Sequence, residues 1–213
     1  ITGPVGNGGI LKAGAGSLTL SGANAYALGT RVTAGVLQFD SLASIGGSGA
    51  NVTNAGGAIA LNFAGFMDAV TTRVGLVSAG SLAISAANAG EAIDFRPALF
   101  SNTFLAAAGT IRYDLASHTP YVNAAATGSN IWRLGGGDGT LIVTNSIGGG
   151  DTVVIGGGGL YGVVELAGSN TYTGATVVQD GTYLRIASNN TALGSSSRMV
   201  LRKGTLKVAA VVI

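Results

Sequence analysis

The residues best placed to do chemistry in this chain are aspartates that follow runs of glycine. Gly135-Gly136-Gly137-Asp138-Gly139 and Gly148-Gly149-Gly150-Asp151-Thr152 approach the Gly-Gly-x-Gly-x-Asp pattern that holds calcium in stacked β-turns. The spacing is off, because each Asp directly follows the third Gly and the second Gly-x-Asp step is missing. One carboxylate per turn also falls short of the oxygens that calcium requires. Corner glycines closed by an Asx turn are therefore expected, and no cofactor, with calcium the single metal left in view. The glycines of 46–49 and 156–159 lack the Lys-Ser/Thr of a phosphate loop and open no helix. His118 is the only histidine, and no nucleophile elbow accompanies it, so no Ser-His-Asp triad can be assigned. A polysaccharide lyase or glycosidase would have to draw its acid pair from Asp94, Asp114, Asp138 and Asp151, with Arg96, Arg112 and Arg133 nearby. With 9 acids in 213 residues, the chain reads as a non-enzyme. Tyr113, Tyr121 and Trp132 flank an irregular stretch and are the candidate contacts for a glycan or a host surface.

Composition narrows the classes further. The chain has 37 Gly and 47% hydrophobic residues but only 9% charged ones, well under the roughly 25% of ordinary domains. That is too apolar for a solvated disordered segment. There is no cysteine, which excludes a disulfide scaffold, a zinc-thiolate site and a thiol nucleophile. Net charge is +2, and the mild basic cluster Arg185, Arg198, Arg202, Lys203 and Lys207 lacks the density and aromatic interleaving of a nucleic-acid surface. No apolar run reaches the ~18 residues of a membrane helix. The first residue is Ile1, with no signal peptide, which reads as a processed chain or a fragment of a longer or polymeric surface protein.

Whatever chemistry exists must be positioned by a repeat. Glycine, a small residue, an aliphatic residue, any residue and another apolar one recur from Gly16, Gly35, Gly57, Gly80, Gly109, Gly139, Gly162, Gly181 and Gly204. Intervals run from 19 to 30 residues, which brackets the usual period of solenoids. Period-2 alternation over about five residues makes each unit a strand. A second short strand accompanies many units, as in Thr30-Arg31-Val32 and Val153-Val154-Ile155. These features predict an all-β parallel β-helix (β-solenoid) of roughly nine coils, 19–30 residues each, as a single domain over 1–213. Hairpin dipeptides are too few for the rival antiparallel sandwich. An irregular insertion is expected near 114–130, a helical turn near Gly65–Val70, and a break over 85–108. Asn24, Asn51, Asn54, Asn123, Asn145 and Asn170 are expected at coil corners in stacked amide hydrogen bonds.

Leu166-Ala-Gly168-Ser-Asn170-Thr-Tyr172-Thr-Gly174-Ala-Thr176-Val-Val178-Gln-Asp-Gly181, followed by Ala192-Leu193-Gly194 and Gly204-Thr205-Leu206, resembles the autotransporter-associated β-strand repeat. A second copy contains Leu18-Thr-Leu20-Ser-Gly22-Ala-Asn24-Ala-Tyr26 and then Thr30-Arg-Val32-Thr-Ala-Gly35. It departs from the pattern at Ala25 and Leu28. The copies lie near 16–63 and 162–208, and the likeness is weaker between them. The resemblance implies a right-handed parallel β-helix, export, and a place outside a bacterial cell or on its outer surface, with any membrane anchor in a separate translocator. It implies no activity. On this reading Gly22, Asn24, Tyr26, Gly35, Gly168, Asn170, Tyr172, Gly174, Gly181 and Gly204 are structural. The expected function is a passenger, stalk or fibre that self-associates through open solenoid ends or continues in a longer chain. A glycan- or host-binding adhesin is the second reading, a carbohydrate-active enzyme the third, and a nucleic-acid partner is not expected.

Overall fold

In a computed structural model, residues 8–46, 52–96, 100–114, 118–119, 121–122, 129–158, 161–186 and 191–208 are described. They form an all-β parallel solenoid of about seven turns with little helix. The first two turns are β1 (Ile10–Lys12) with β2 (Ser17–Leu20), then β3 (Thr30–Val32) with β4 (Val36–Phe39). In the next two, β5 (Val52–Leu61) and β6 (Val74–Ile84) each run through the corner as one bent strand, separated by α1 (Phe66–Arg73). The expected helical turn at 65–70 is thus a full short helix. Its N-terminus is Gly65, and Glu91 accepts from the backbone N–H groups of Gly65 and Phe66 at 2.8 and 2.7 Å. A carboxylate from the following turn satisfies amides that a helix start leaves open.

The centre is irregular. β7 (Ile93–Asp94) pairs in parallel with β10 (His118–Thr119), and β11 (Tyr121–Val122) adds antiparallel to β12 (Asn130–Gly137). Short strands therefore occupy part of the stretch 114–130 expected to be a loop. Between them β8 (Thr103–Ala107) and β9 (Thr110–Tyr113) restart the regular pattern. It continues through β13 (Thr140–Val143), β14 (Thr152–Ile155), β15 (Val163–Leu166), β16 (Thr176–Gln179), β17 (Tyr183–Ile186), β18 (Met199–Arg202) and β19 (Thr205–Val208).

The glycine-led strands do not form one stack. Those led by Gly16, Gly35, Gly57 and Gly80 lie in the large sheet, whereas β9, β13, β15, β17 and β19 form a separate five-stranded sheet. One aliphatic ladder crosses the change. Leu18, Leu37, Ile59, Leu82, Leu105, Leu134, Ile155, Val178 and Leu201 are register partners in succession. Leu37 belongs to a glycine-led strand, but Val178 belongs to the strand before one. The repeat has slipped by one strand in mid-chain. The solenoid has about seven turns, where roughly nine coils were expected.

The glycines are needed because each unit sits on the backbone of the one before. A Cβ on Gly35 would lie 2.3 Å from the Gly16 carbonyl oxygen, and one on Gly139 2.0 Å from that of Gly109. Those same carbonyls accept hydrogen bonds from Val36 and Thr140. The corner is thus too tight for any side chain, and at Gly35 and Gly181 the φ of +65° and +76° adds a second requirement.

The slip also packs the halves against each other. Ala58, Ala60, Ala83 and Ala106 form a second, outward cluster that is nevertheless wholly buried. The 135–139 segment approaches it closely: a Cβ on Gly137 would lie 3.4 Å from the Ala106 Cβ and 2.7 Å from the Ala107 oxygen. Ser81 is fully buried and donates to the carbonyl oxygens of Gly135 and Gly158 at 3.1 and 3.2 Å. Ser17 reaches across to Asp138 at 3.0 Å. The glycine run 135–137, first read as a plain corner, therefore forms a seam of backbone on alanine, whereas Gly149 of the run 148–150 meets no neighbour.

Candidate functional site

The repeat motif builds the same bracket twice. In the first copy the Asn24 amide donates to the Ser44 carbonyl at 2.6 Å, and the Thr30 hydroxyl donates to the Tyr26 phenol at 2.9 Å. In the second, the Asn170 amide donates to the Ala192 carbonyl at 2.6 Å and accepts from the Ile147 N–H at 2.8 Å. Tyr172 and Thr176 share a hydrogen bond of 2.7 Å. Asn170 thereby ties three successive turns. Both tyrosine rings are buried in the core, and burial raises both phenol pKa values. Asn54 and Asn88 follow the same rule, donating to Ser81 and to Leu61 and Phe63 of neighbouring turns. These amides donate to backbone carbonyls of adjacent turns, which matters because a buried carbonyl without a donor is costly. Asn51 and Asn123 lie outside the described residues, and Asn145 accepts from its neighbour Thr144.

The aromatic patch expected around the insertion does not face outward. Tyr113 is fully buried, its hydroxyl donates to the Glu91 carbonyl at 3.1 Å, and burial raises its pKa. Trp132 is 9% exposed, and its indole N–H donates to Asp151 at 2.7 Å. The side chain of Tyr121 lies outside the described residues. Tyr113 and Trp132 offer no ring face to a ligand, because period-2 alternation places both on the inward side of their strands. Among the described residues the large exposed aromatic is Tyr161, at 73%, in the connection between β14 and β15. Its ring leans on Gly181, where an added Cβ would lie 2.7 Å from it. An aromatic between a glycine run and a repeat glycine was the available signal.

The carboxylates do not converge. Asp94 pairs with Arg96 at 2.6 Å, Asp138 receives Ser17, and Asp151 receives the Asn130 N–H and the Trp132 indole. Asp40 accepts from Ser21, Gln38 and Asn62, and the Ser21 contact chiefly holds its pKa below the ordinary carboxylate value. Among the described residues no three His, Asp or Glu stand close enough to share a metal ion. Glu165 is the buried end of an ion pair with Arg185 of the next turn. Lys12 is buried too, and its ammonium donates to the carbonyls of Ala13, Gly14 and Ala34 at 3.2, 2.7 and 3.0 Å. These charged groups hold corners and adjacent turns together.

A concavity of about 610 Å3 opens beside the seam glycines. Asn102, Arg133, Gln179 and Asp180 line it, with Phe104 and several seam glycines. Among the described residues β1, β2, β18 and β19 each pair with a single strand, and Leu11, Leu28, Leu201 and Val208 are exposed there by 66, 82, 52 and 59%.

Residues 10–39 and 162–182 match the family described as Passenger-associated-transport-repeat. A stretch of 71 residues, 33% of the chain, is 42% identical to the Adhesin BmaC autotransporter of Brucella suis biovar 1 (strain 1330). The matched stretch spans only 2% of that relative's length. No solved structure matches. The two stretches that match the passenger-associated repeat each contain one of the two Asn-Tyr-Thr brackets.

Proposed function

We propose that this repeat-bearing chain is a structural segment of a bacterial passenger, an extracellular β-solenoid stalk or fibre whose open edges take further strands. The edges carry the reading. Among the described residues β1, β2, β18 and β19 each have one paired neighbour, and their other edges, beside exposed Leu11, Leu28, Leu201 and Val208, would be a template for another strand. In a solenoid that strand comes from a further turn or from a second copy. The role is mechanical and non-enzymatic: each turn satisfies its neighbours' hydrogen bonds and extends one aliphatic ladder. The repeats' place in passengers supports a location outside the cell or on its outer surface, with membrane attachment through a separate translocator. Sedimentation and negative-stain imaging test the edges. The chain is expected to form concentration-dependent end-to-end oligomers, and Leu201→Lys is expected to reduce them. A chain that stays monomeric at ~1 mM, with β18 and β19 fully protected from hydrogen exchange, would sink strand addition. The second reading, surface attachment, draws on the relative's description as an adhesin.

A further inference from the structure

We infer that the seam between the two halves is a binding groove for a neutral polysaccharide segment. It is independent of the structural role, since the groove lies on the side of the solenoid and not at its ends. The volume of about 610 Å3 lies in the range of ligand sites, and the lining comes from β5, β6, β8, β12, β14 and β16, successive strands of one sheet. Its walls present planar polar side chains. Asn102 and Asp180 are exposed, Arg133 and Gln179 are half-buried, and the Gln179 amide donates to the Asp180 carboxylate at 3.0 Å. Amides, a carboxylate and a guanidinium offer paired donors and acceptors that match vicinal sugar hydroxyls. Just past the rim, Tyr161 lies 73% exposed with its ring supported by Gly181, the residue after Asp180. A fixed, solvent-facing ring beside a polar groove is a platform for the apolar C–H face of a pyranose.

Other ligand classes fit less well. One arginine offset by one aspartate gives no net attraction for a phosphate or a polyanion. A lipid chain would meet amides and charges, whose desolvation opposes entry. One carboxylate in the lining is too few for a metal ion.

The backbone at Asp180 gives a separate handle. Its φ of +57° is left-handed, a conformation that Gly adopts without strain. Asp180→Gly is therefore expected to raise the melting temperature while removing a carboxylate from the groove. The test is calorimetric titration of the 213-residue chain with neutral hexasaccharides of β-1,4-glucan, α-1,4-glucan and β-1,4-mannan, and with hexagalacturonate as the charged control. At least one neutral hexasaccharide is expected to bind, and hexagalacturonate more weakly. Tyr161→Ala, on an exposed ring, is expected to weaken binding about tenfold with unchanged circular dichroism. Asn102→Ala and Asp180→Gly are expected to weaken it as well, the latter in a more stable protein. The proposal is overturned if no neutral hexasaccharide binds at about 10 mM, if the charged control binds best, or if Tyr161→Ala and Asp180→Gly both leave affinity unchanged.

Discussion

At the scale of single residues the molecule is held by side chains that complete backbone hydrogen bonds. Asn170 is the clearest: it is 2% exposed and bonds to the turn before and the turn after. Asn170→Ala strands one N–H and one carbonyl, each costing about 1–3 kcal/mol. Asn24 donates to the Ser44 carbonyl in a half-buried place, where the groups left open are less desolvated, so Asn24→Ala is expected to cost about 1 kcal/mol. Guanidinium unfolding of the two variants checks the order, and equal losses would contradict the role of burial. Lys203 has a φ of +60° at an exposed corner equivalent to Asp180. Lys203→Gly relieves a left-handed residue, partly offset by the greater freedom of Gly when unfolded, and is expected to stabilise by about 0.5 kcal/mol. An unchanged or lower midpoint would show that the corner is not strained.

At the scale of elements the decisive contacts lie between stacks. Ser81 and the 135–139 segment lock the alanine face of β5, β6 and β8. A Cβ on Gly158 would lie 1.9 Å from the Gly56 oxygen, backbone that cannot swing aside. Gly158→Ala is therefore expected to destabilise by about 1–3 kcal/mol, as overpacking does. Gly149→Ala meets no neighbour within 4 Å and carries only the strain of its φ of +64°, so its loss is expected to be smaller. Thermal melts of the pair separate seam packing from backbone strain. The α1 cap is a further case of one turn completing another: Glu91→Ala leaves the Gly65 and Phe66 amides open and is expected to cost about 1 kcal/mol. Hydrogen exchange in 65–73 would rise first.

At the scale of the whole molecule, stability is a sum over neighbouring turns along one ladder. Three of the largest fully buried side chains are Tyr26, Tyr113 and Tyr172, one in each third of the chain. Burial raises the pKa of all three. The unfolded chain ionises its phenols near pH 10, whereas the folded chain keeps these protonated to higher pH. Their contribution is fully present below about pH 10 and is lost as pH rises through the folded values. Circular dichroism is therefore expected to collapse together with a cooperative rise in tyrosinate absorbance above pH 10. Ionisation of Tyr26, Tyr113 and Tyr172 themselves in a protein that keeps its native circular dichroism would contradict the burial. Asp40 acts in the opposite direction: its depressed pKa adds stability that is lost as pH falls below the ordinary carboxylate range.

The glycine spacing, the period-2 strands and the Asn-Tyr-Thr motif determined the parallel solenoid, its repeat copies and the structural role of Asn24, Tyr26, Asn170 and Tyr172. Those are local signals, since each turn's hydrogen bonds go to the turn beside it. The sequence also showed where the rhythm breaks, over 85–108 and 114–130, but not what the break does. Only the tertiary structure decided that Leu37 and Val178 share one ladder, that the repeat slips by a strand, and that two glycine runs close a seam on alanines. It also decided which aromatics face water: Trp132 turns inward to Asp151, while Tyr161 stands on Gly181 beside the groove. The physical reason is that alternation fixes which side of a strand a residue takes, whereas the surface that covers that side comes from strands about 50 to 120 residues away, as in Ser81 with Gly135 and Ser17 with Asp138.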